Sequence, residues 1–375
     1  MTARSRLSLA LLAFLPVTAA ADQLHWGDSV VFFAAIASII PLAVWLSTAT
    51  EELSITLGPL VGALLNALFG NATELIIALT ALKAGLVDIV KASITGTVMG
   101  NLLLALGMAM LAGGIGRSEQ RFQPVLARVN GAAMTLAVLA ILLPSLRAMG
   151  DAASGRANES FSIFVAWVLL VVYGLTLLFS LGTHRTLYAV AEADLGEVVQ
   201  DGHDGDDASA TPSPPLLPSP PLLPWLAVLV GTTVGLAYAS EQFVGVVEPV
   251  TERVGLTPIF TGVILLPLLG GIAEYLTAVT MARKDKMDLS VSVALGSTLL
   301  FALLVVPLLV LVGPLLGHPI DLSFNVYELV AIITAVVVSN LVSLDGRSDW
   351  LEGVLLLAAY VILAAGFFFE AGAIP

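Results

Sequence analysis

Two glutamates stand where this chain can do chemistry. Glu74 lies in FGNATELIIAL over residues 69–79, and Glu274 in GGIAEYLTAVT over residues 270–280. Both stretches are otherwise apolar enough to cross a bilayer. A carboxylate at the centre of a membrane helix costs roughly 2.5–3.5 kcal/mol on insertion scales, so it faces a cavity and a partner rather than lipid. Two such groups brought together make an oxygen cage that holds either protons or one hard cation, and calcium takes several oxygens, usually including carboxylates. Asn71, three residues before Glu74, is predicted to share its helix face and to add a neutral oxygen. Gly70 and Gly270 let each helix bend or a neighbour approach closely, and can free backbone carbonyls as further ligands.

The matched positions of these groups come from an internal repeat. Sliding the sequence by 200 residues superposes Gly62 on Gly262, Gly70 on Gly270, Glu74 on Glu274, Thr80 on Thr280, Asp88 on Asp288 and Gly96 on Gly296. A second echo, ATE ending at Glu51 and ASE ending at Glu241, precedes the respective glutamate helices. On the helices that follow, Gly96, Thr97, Gly296, Ser297 and Thr298 are small or hydroxylic, a pattern that suits ion ligation and ordinary helix packing alike.

Elements that hold such groups must be membrane helices. The 375 residues are 58% hydrophobic and 11% charged, with mean hydropathy +0.99, against roughly 25% charged in a soluble domain. Apolar runs long enough to span a bilayer begin near Leu7, Ser29, Gly58, Val87, Val125, Phe161, Trp225, Thr257, Leu289, Asn325 and Leu351, eleven in all. The first reads as a retained membrane helix or as a signal peptide, given Arg4, Arg6 and the small residues before Asp22. The glutamate helices are the third and the eighth. Being five crossings apart, they run in opposite directions, which makes the repeat inverted. The predicted organisation is a first helix (1–28), a five-helix repeat (29–181), a linker (182–224) and a second five-helix repeat (225–375).

Basic residues set the expected orientation. With the N-terminus cytoplasmic, ten of the 15 Lys and Arg face the cytoplasm, and Lys83, Lys91, Arg147, Arg156 and Arg253 face out. The C-terminus is then external. The linker carries seven acids between Glu192 and Asp207, followed by seven prolines in TPSPPLLPSPPLLP. It lacks the spacing of an EF-hand loop and is read as a solvated connector. Zero cysteines exclude disulfides and thiolate sites, and four histidines leave little for a histidine metal centre.

At the glutamates the chain resembles the Ca²⁺/H⁺ exchangers of the Ca²⁺:cation antiporter superfamily. The resemblance is carried by GNATELIIALTALKAGLVDIVKASITGTVMGNLLLALG over residues 70–107. It extends through ATEELSITLGP, GIAEYLTAVTMARKDKMDL and WLEGVLLLAAYVILAAGFFF. It implies an all-α membrane protein with a first helix and two inverted five-helix repeats. It also implies Ca²⁺ and H⁺ as substrates, with Glu74 and Glu274 as the shared carboxylates, Asn71 as an ion ligand, and Glu51, Glu241 and Asn101 as supporting polar positions. No cofactor and no nucleic-acid partner is implied, and the plasma membrane is the expected location. In the second half the chain departs from the usual pattern: Gly271 replaces an Asn, Tyr275 a His and Leu300 a Gln. Two amide oxygens are thereby missing on the Glu274 side.

Three readings remain open at this level: a Ca²⁺/H⁺ antiporter, an antiporter of Na⁺, K⁺ or Mn²⁺, and a membrane scaffold without transport. An intramembrane hydrolase is disfavoured, since no HExxH motif or soluble catalytic domain is present. A connector predicts its own indifference. Replacing the seven linker acids with Ser should leave calcium affinity within about twofold, a change under roughly 0.5 kcal/mol, as measured by calcium titration of the purified protein.

Overall fold

The computed structural model describes residues 13–150, 155–180 and 222–370. The linker and the start of the expected first helix, residues 1–12, lie outside the described residues. Among the described residues every long apolar run is helical. In a bilayer the backbone must satisfy its own hydrogen bonds, and a helix does so within one segment.

The first half comprises α1 (Phe14–Gln23), α2 (Asp28–Leu57), α3 (Pro59–Phe69), α4 (Ala72–Lys83), α5 (Val87–Gly114), α6 (Pro124–Met149) and α7 (Gly155–Leu178). The second comprises α8 (Leu222–Arg253), α9 (Pro258–Gly270), α10 (Ile272–Arg283), α11 (Met287–Leu316), α12 (Val326–Val342) and α13 (Trp350–Glu370). Among the described residues nine spans are long and apolar enough to cross a membrane when α9 and α10 count as one. With the shorter apolar α12 and with α1, the helix count is roughly the eleven expected from sequence, a first helix and two inverted five-helix repeats.

Both glutamate helices are broken. α3 gives way to α4 at Gly70 and Asn71, and α9 meets α10 at a 59° bend around Gly271. α5 and α11 each carry one π-helical turn, at Gly100–Ala105 and Phe301–Val305, repeat-related positions beside the breaks. Such turns concentrate at functional sites.

α2 and α8 pack along one another, with Phe32 stacked on Phe243 at 5.4 Å, and α1 docks on α2 through Thr18 Oγ1 and Ser38 Oγ at 3.0 Å. α5, the most buried long helix, crosses α9 at two bare backbones. A Cβ on Gly96 would strike the Val263 carbonyl and Pro267, and one on Gly262 would lie 2.5 Å from the Ile89 carbonyl and 2.6 Å from Ala92. Gly296 has open space instead. Of the two repeat-related glycines, one is therefore a packing contact and the other is not.

Loops at the two ends are tied across the halves. At one end Gln120 Nε2 donates to the Ala282 carbonyl and to Asp285, Arg117 pairs with Asp285, and a two-stranded antiparallel ribbon joins Gln120–Arg121 to Arg347–Ser348. At the other, Lys91 Nζ donates to Asp321 at 2.8 Å, with Ser323 and Asn158 also donating to that carboxylate. Burial by itself pushes the Asp321 carboxyl up. The hydrogen bonds from Lys91, Ser323 and Asn158 and the Lys91 charge outweigh it, so the group sits below the ordinary aspartate value. A depressed folded-state value stabilises the fold above the unfolded value and ceases to do so as pH falls through the folded one. Asp321→Asn should therefore lower stability by about 1–3 kcal/mol by leaving Lys91 poorly paired. In thermal melts the gap to wild type should hold between about pH 7 and 5 and close below about pH 4, near and under the unfolded aspartate value.

Candidate functional site

Each glutamate sits in the first turn of a half-helix, Glu74 on α4 and Glu274 on α10. The unsatisfied N–H groups and positive dipole end of such a helix favour a carboxylate there. α4 and α10 run in opposite directions and their starts converge. A Cβ added to Gly270 would lie 2.9 Å from Glu74 Cγ, so the Glu74 side chain lies across the bare backbone of the second break. This approach is the work of Gly270. Gly70 faces its own helix at the Asn66 carbonyl.

Access to the two carboxylates differs. A cavity of about 320 Å³ reaches Glu274, lined among others by Thr50, Glu51, Asn66, Asn71, Gly296, Ser297 and Leu300. Its outer residues, Glu51 in the last turns of α2 and Leu289 and Ser292 in the first turns of α11, lie at the end of the bundle that carries the Gln120–Asp285 ties. Glu74 is only 6% exposed. It borders a separate void of about 10 Å³ walled by Ser93, Thr97, Pro267 and Phe301, room for about one water. Toward the opposite end, Lys83 at the close of α4 pairs with Glu241 on α8 at 3.4 Å.

The polar atoms of the centre are notable for their partners. Among the described residues, both side-chain oxygens of Glu74, both amide atoms of Asn71 and Asn101, and Glu274 Oε2 are buried without a hydrogen bond. Buried polar groups are ordinarily paired. The unpaired oxygens of Glu74, Glu274 and Asn71, which border the two cavities, fit a site whose occupant is a cation or proton.

Several expectations are revised by this geometry. Asn71 stays within side-chain reach of Glu74 but is not inside the helix. It is the N-cap residue in the break, at φ −120° and ψ 31°, and it lines the Glu274 cavity. The Glu274 side is consequently not poor in neutral oxygens, because Asn66, Asn71, Thr50 and Ser297 supply them from the cavity wall. Asn66 was invisible as a site residue, although a lone amide in the apolar run PLVGALLNALF one turn before Gly70 could have drawn notice. Thr298 turns away, its hydroxyl donating to the Ala294 carbonyl of its own helix. Asn101 is buried in the π-turn of α5 and lines neither cavity, while its repeat mate Phe301 walls the Glu74 void. Glu241 lies within α8, which continues past it to Arg253, and lines neither cavity.

The sequence profile described as sodium/calcium exchanger protein matches residues 27–182 and 224–369, the two halves that carry the two glutamates. The chain belongs to this family. The exchanger is 49% identical over 372 residues to a protein named Ca²⁺/H⁺ antiporter from Synechocystis sp., covering 99% of each chain. It is 48% identical over 373 residues to one of the same name from Aphanothece halophytica, covering 99% of this chain and 98% of that one. Among solved structures, native YfkE superposes with a TM-score of 0.80 at 35% identity, covering 96% of this chain and 99% of YfkE.

Leu300 lines the cavity beside Glu274, so a side-chain amide there would meet an ion directly. Leu300→Gln should shift the competition of Ca²⁺ against Mn²⁺ and Na⁺ by about tenfold, the worth of roughly 1–2 kcal/mol for one charge-assisted contact. Isothermal titration with competing ions measures it, and an unchanged profile would mean that position 300 does not reach the ion.

Proposed function

We propose that this exchanger moves Ca²⁺ in one direction and H⁺ in the other across a membrane, with Glu74 and Glu274 as the groups that carry both. The observation that carries this reading is the approach of Glu74 to the Gly270 break, which brings the starts of the two half-helices together, with Glu274 on the open cavity and Glu74 on the closed void beside it. The names of its two bacterial relatives support calcium and protons as the substrates.

The mechanism follows from mutual exclusion. Two carboxylates held close together out of water repel while both are charged, and one divalent cation or added protons relieve that repulsion. The two occupants therefore compete for the same oxygens. An empty, charged pair is the species least able to be sealed from water, so the change of access is favoured only when the pair is loaded. Calcium departing to one side is then replaced by protons drawn from the other.

The cavity that reaches Glu274 from the Glu51 end, together with the closed void at Glu74, fits one stage of such a cycle. The gathering of Arg117, Arg121, Arg283 and Arg347 at that end supports a cytoplasmic assignment for it under the positive-inside tendency. The N-terminus would then be cytoplasmic and the C-terminus external, in a plasma membrane. Glu51, exposed at the cavity mouth, recruits cations by its charge, and Glu241 does so at the other face once released from Lys83. Exchange of Na⁺, K⁺ or Mn²⁺ by the same site is the second reading, favoured by the apolar wall that Leu300 adds next to Glu274.

Reconstituted vesicles with an imposed pH gradient test the proposal through calcium uptake. Glu74→Gln and Glu274→Gln should each abolish pH-driven uptake, a loss of more than about a hundredfold, while the purified variants melt as cooperatively as wild type. Full uptake in either variant would overturn the role of the pair.

A further inference from the structure

Within the site proposed above, the two repeats differ at one place that the cavities do not reveal. The first repeat reads Asn71-Ala-Thr-Glu-Leu75 and the second Gly271-Ile-Ala-Glu-Tyr275. Position 71 presents an amide to the ion cavity. Position 271 presents none, and the reason lies in its neighbour one helical turn on. A Cβ built on Gly271 would fall 2.8–2.9 Å from three atoms of the Tyr275 phenol, its ring carbons and its hydroxyl, closer than van der Waals contact permits. Tyr275 is 4% exposed. It cannot swing aside cheaply, because its hydroxyl donates to the Pro267 carbonyl at 3.2 Å, across the break that joins α9 to α10. On its far side the ring tip meets the bare backbone of Gly100 on α5, where a Cβ would collide with the same hydroxyl. The repeat mates of these two residues are Leu75 and Leu300. A large side chain from the second half and a bare backbone from the first thus correspond to two leucines, one from each half.

We propose that Tyr275 is a specificity-determining residue of the second half-site: its ring occupies the space that a ligating side chain at position 271 requires, and Gly100 and Gly271 are the clearances that let it do so. The cation is consequently held from the second repeat by Glu274 without an amide counterpart of Asn71, and the remaining oxygens come from the first repeat, from Ser297 and from cavity water. Tyr275 acts through the volume it fills and the carbonyl it takes, so it is a positioning residue rather than an ion ligand. The inference rests on the reading of Glu74 and Glu274 as the ion site. It says in addition that position 271 can be recruited to that site only when position 275 is made smaller.

The test is a set of variants of the full-length protein, read by thermal melting and by competition of Ca²⁺ against Mn²⁺ and Na⁺ in titration calorimetry. Gly271→Asn alone should be strongly destabilised or fail to accumulate, because the ring is in the way. Tyr275→Leu should bind calcium no more tightly than wild type, since it opens space without adding an oxygen. Gly271→Asn combined with Tyr275→Leu, which copies the first-repeat pair, should recover the melting temperature of Tyr275→Leu, bind calcium about tenfold tighter, as one charge-assisted contact does, and discriminate more sharply against Na⁺. Gly271→Asn combined with Tyr275→Phe keeps the ring and should remain destabilised. The proposal is overturned if the Asn/Leu double variant shows the ion profile of Tyr275→Leu, or if Gly271→Asn alone is stable and already has the profile of the double. If the Asn/Leu double itself fails to fold while Tyr275→Leu folds, the ring is not what excludes a side chain at 271, and the proposal also falls. Should wild type bind no calcium but bind Mn²⁺ or Na⁺, the calcium reading fails separately, and the comparison between Tyr275→Leu and the double is made with the ion that binds.

Discussion

The approach of the Glu74 side chain to the backbone of Gly270 is the contact on which the rest of the arrangement depends. Each carboxylate belongs to the first turn of a half-helix that begins at a break, the end where unsatisfied N–H groups and the positive dipole favour an acid. Alone, either half would be a costly buried charge at the end of a helix. Together they form one site, and the inverted repeat is the means by which two helices of opposite direction present the same end to the same place. A side chain at position 270 would separate them, so the missing Cβ matters as much as the carboxylates.

Symmetry of sequence does not produce symmetry of environment. Glu274 meets a cavity of about 320 Å³, while Glu74 meets a void of about 10 Å³. The same inequality runs through other repeat-related positions: Gly96 is pressed against α9 and Gly296 faces space, and Asn101 is enclosed while Phe301 walls off Glu74. Part of this belongs to a single conformation of a protein whose proposed task requires two. Part belongs to the chain itself, since the Tyr275 and Gly100 pair differs in volume from Leu75 and Leu300 in any conformation.

Both ends of the bundle are tied across the two halves. Gln120, Arg117 and Asp285 tie loops from both halves at one end, and Lys91, Asp321, Ser323 and Asn158 do so at the other, with several of these groups partly buried. Partly buried, multiply bonded pairs are worth more than the exposed Lys83–Glu241 pair, whose members are 69% and 61% exposed. The weaker contact spans α4 and α8, where a change of access would need release.

The sequence by itself determined the membrane class, the eleven helical runs and the offset that superposes Glu74 on Glu274. Each of these is written in residue type and spacing along the chain: apolar length, glycine at a break, an acid where lipid forbids one. The family followed from the same residues, because the motif around the first glutamate is contiguous. What the tertiary structure alone decided is which side chains meet. Asn71, a neighbour of Glu74 by spacing, also faces the cavity that reaches Glu274 because it caps the break. Asn66 joined the cavity wall and Thr298 left it. Position 271 proved closed to any side chain, and Gly270 rather than Gly70 admitted the partner acid. These outcomes depend on atoms that the fold brings together from up to about 200 residues away, such as Glu74 on Gly270 and Tyr275 on Gly100. At such distances in the chain, spacing carries no information about clearance, and only the packed helices set whether an oxygen, a ring or open space faces the ion.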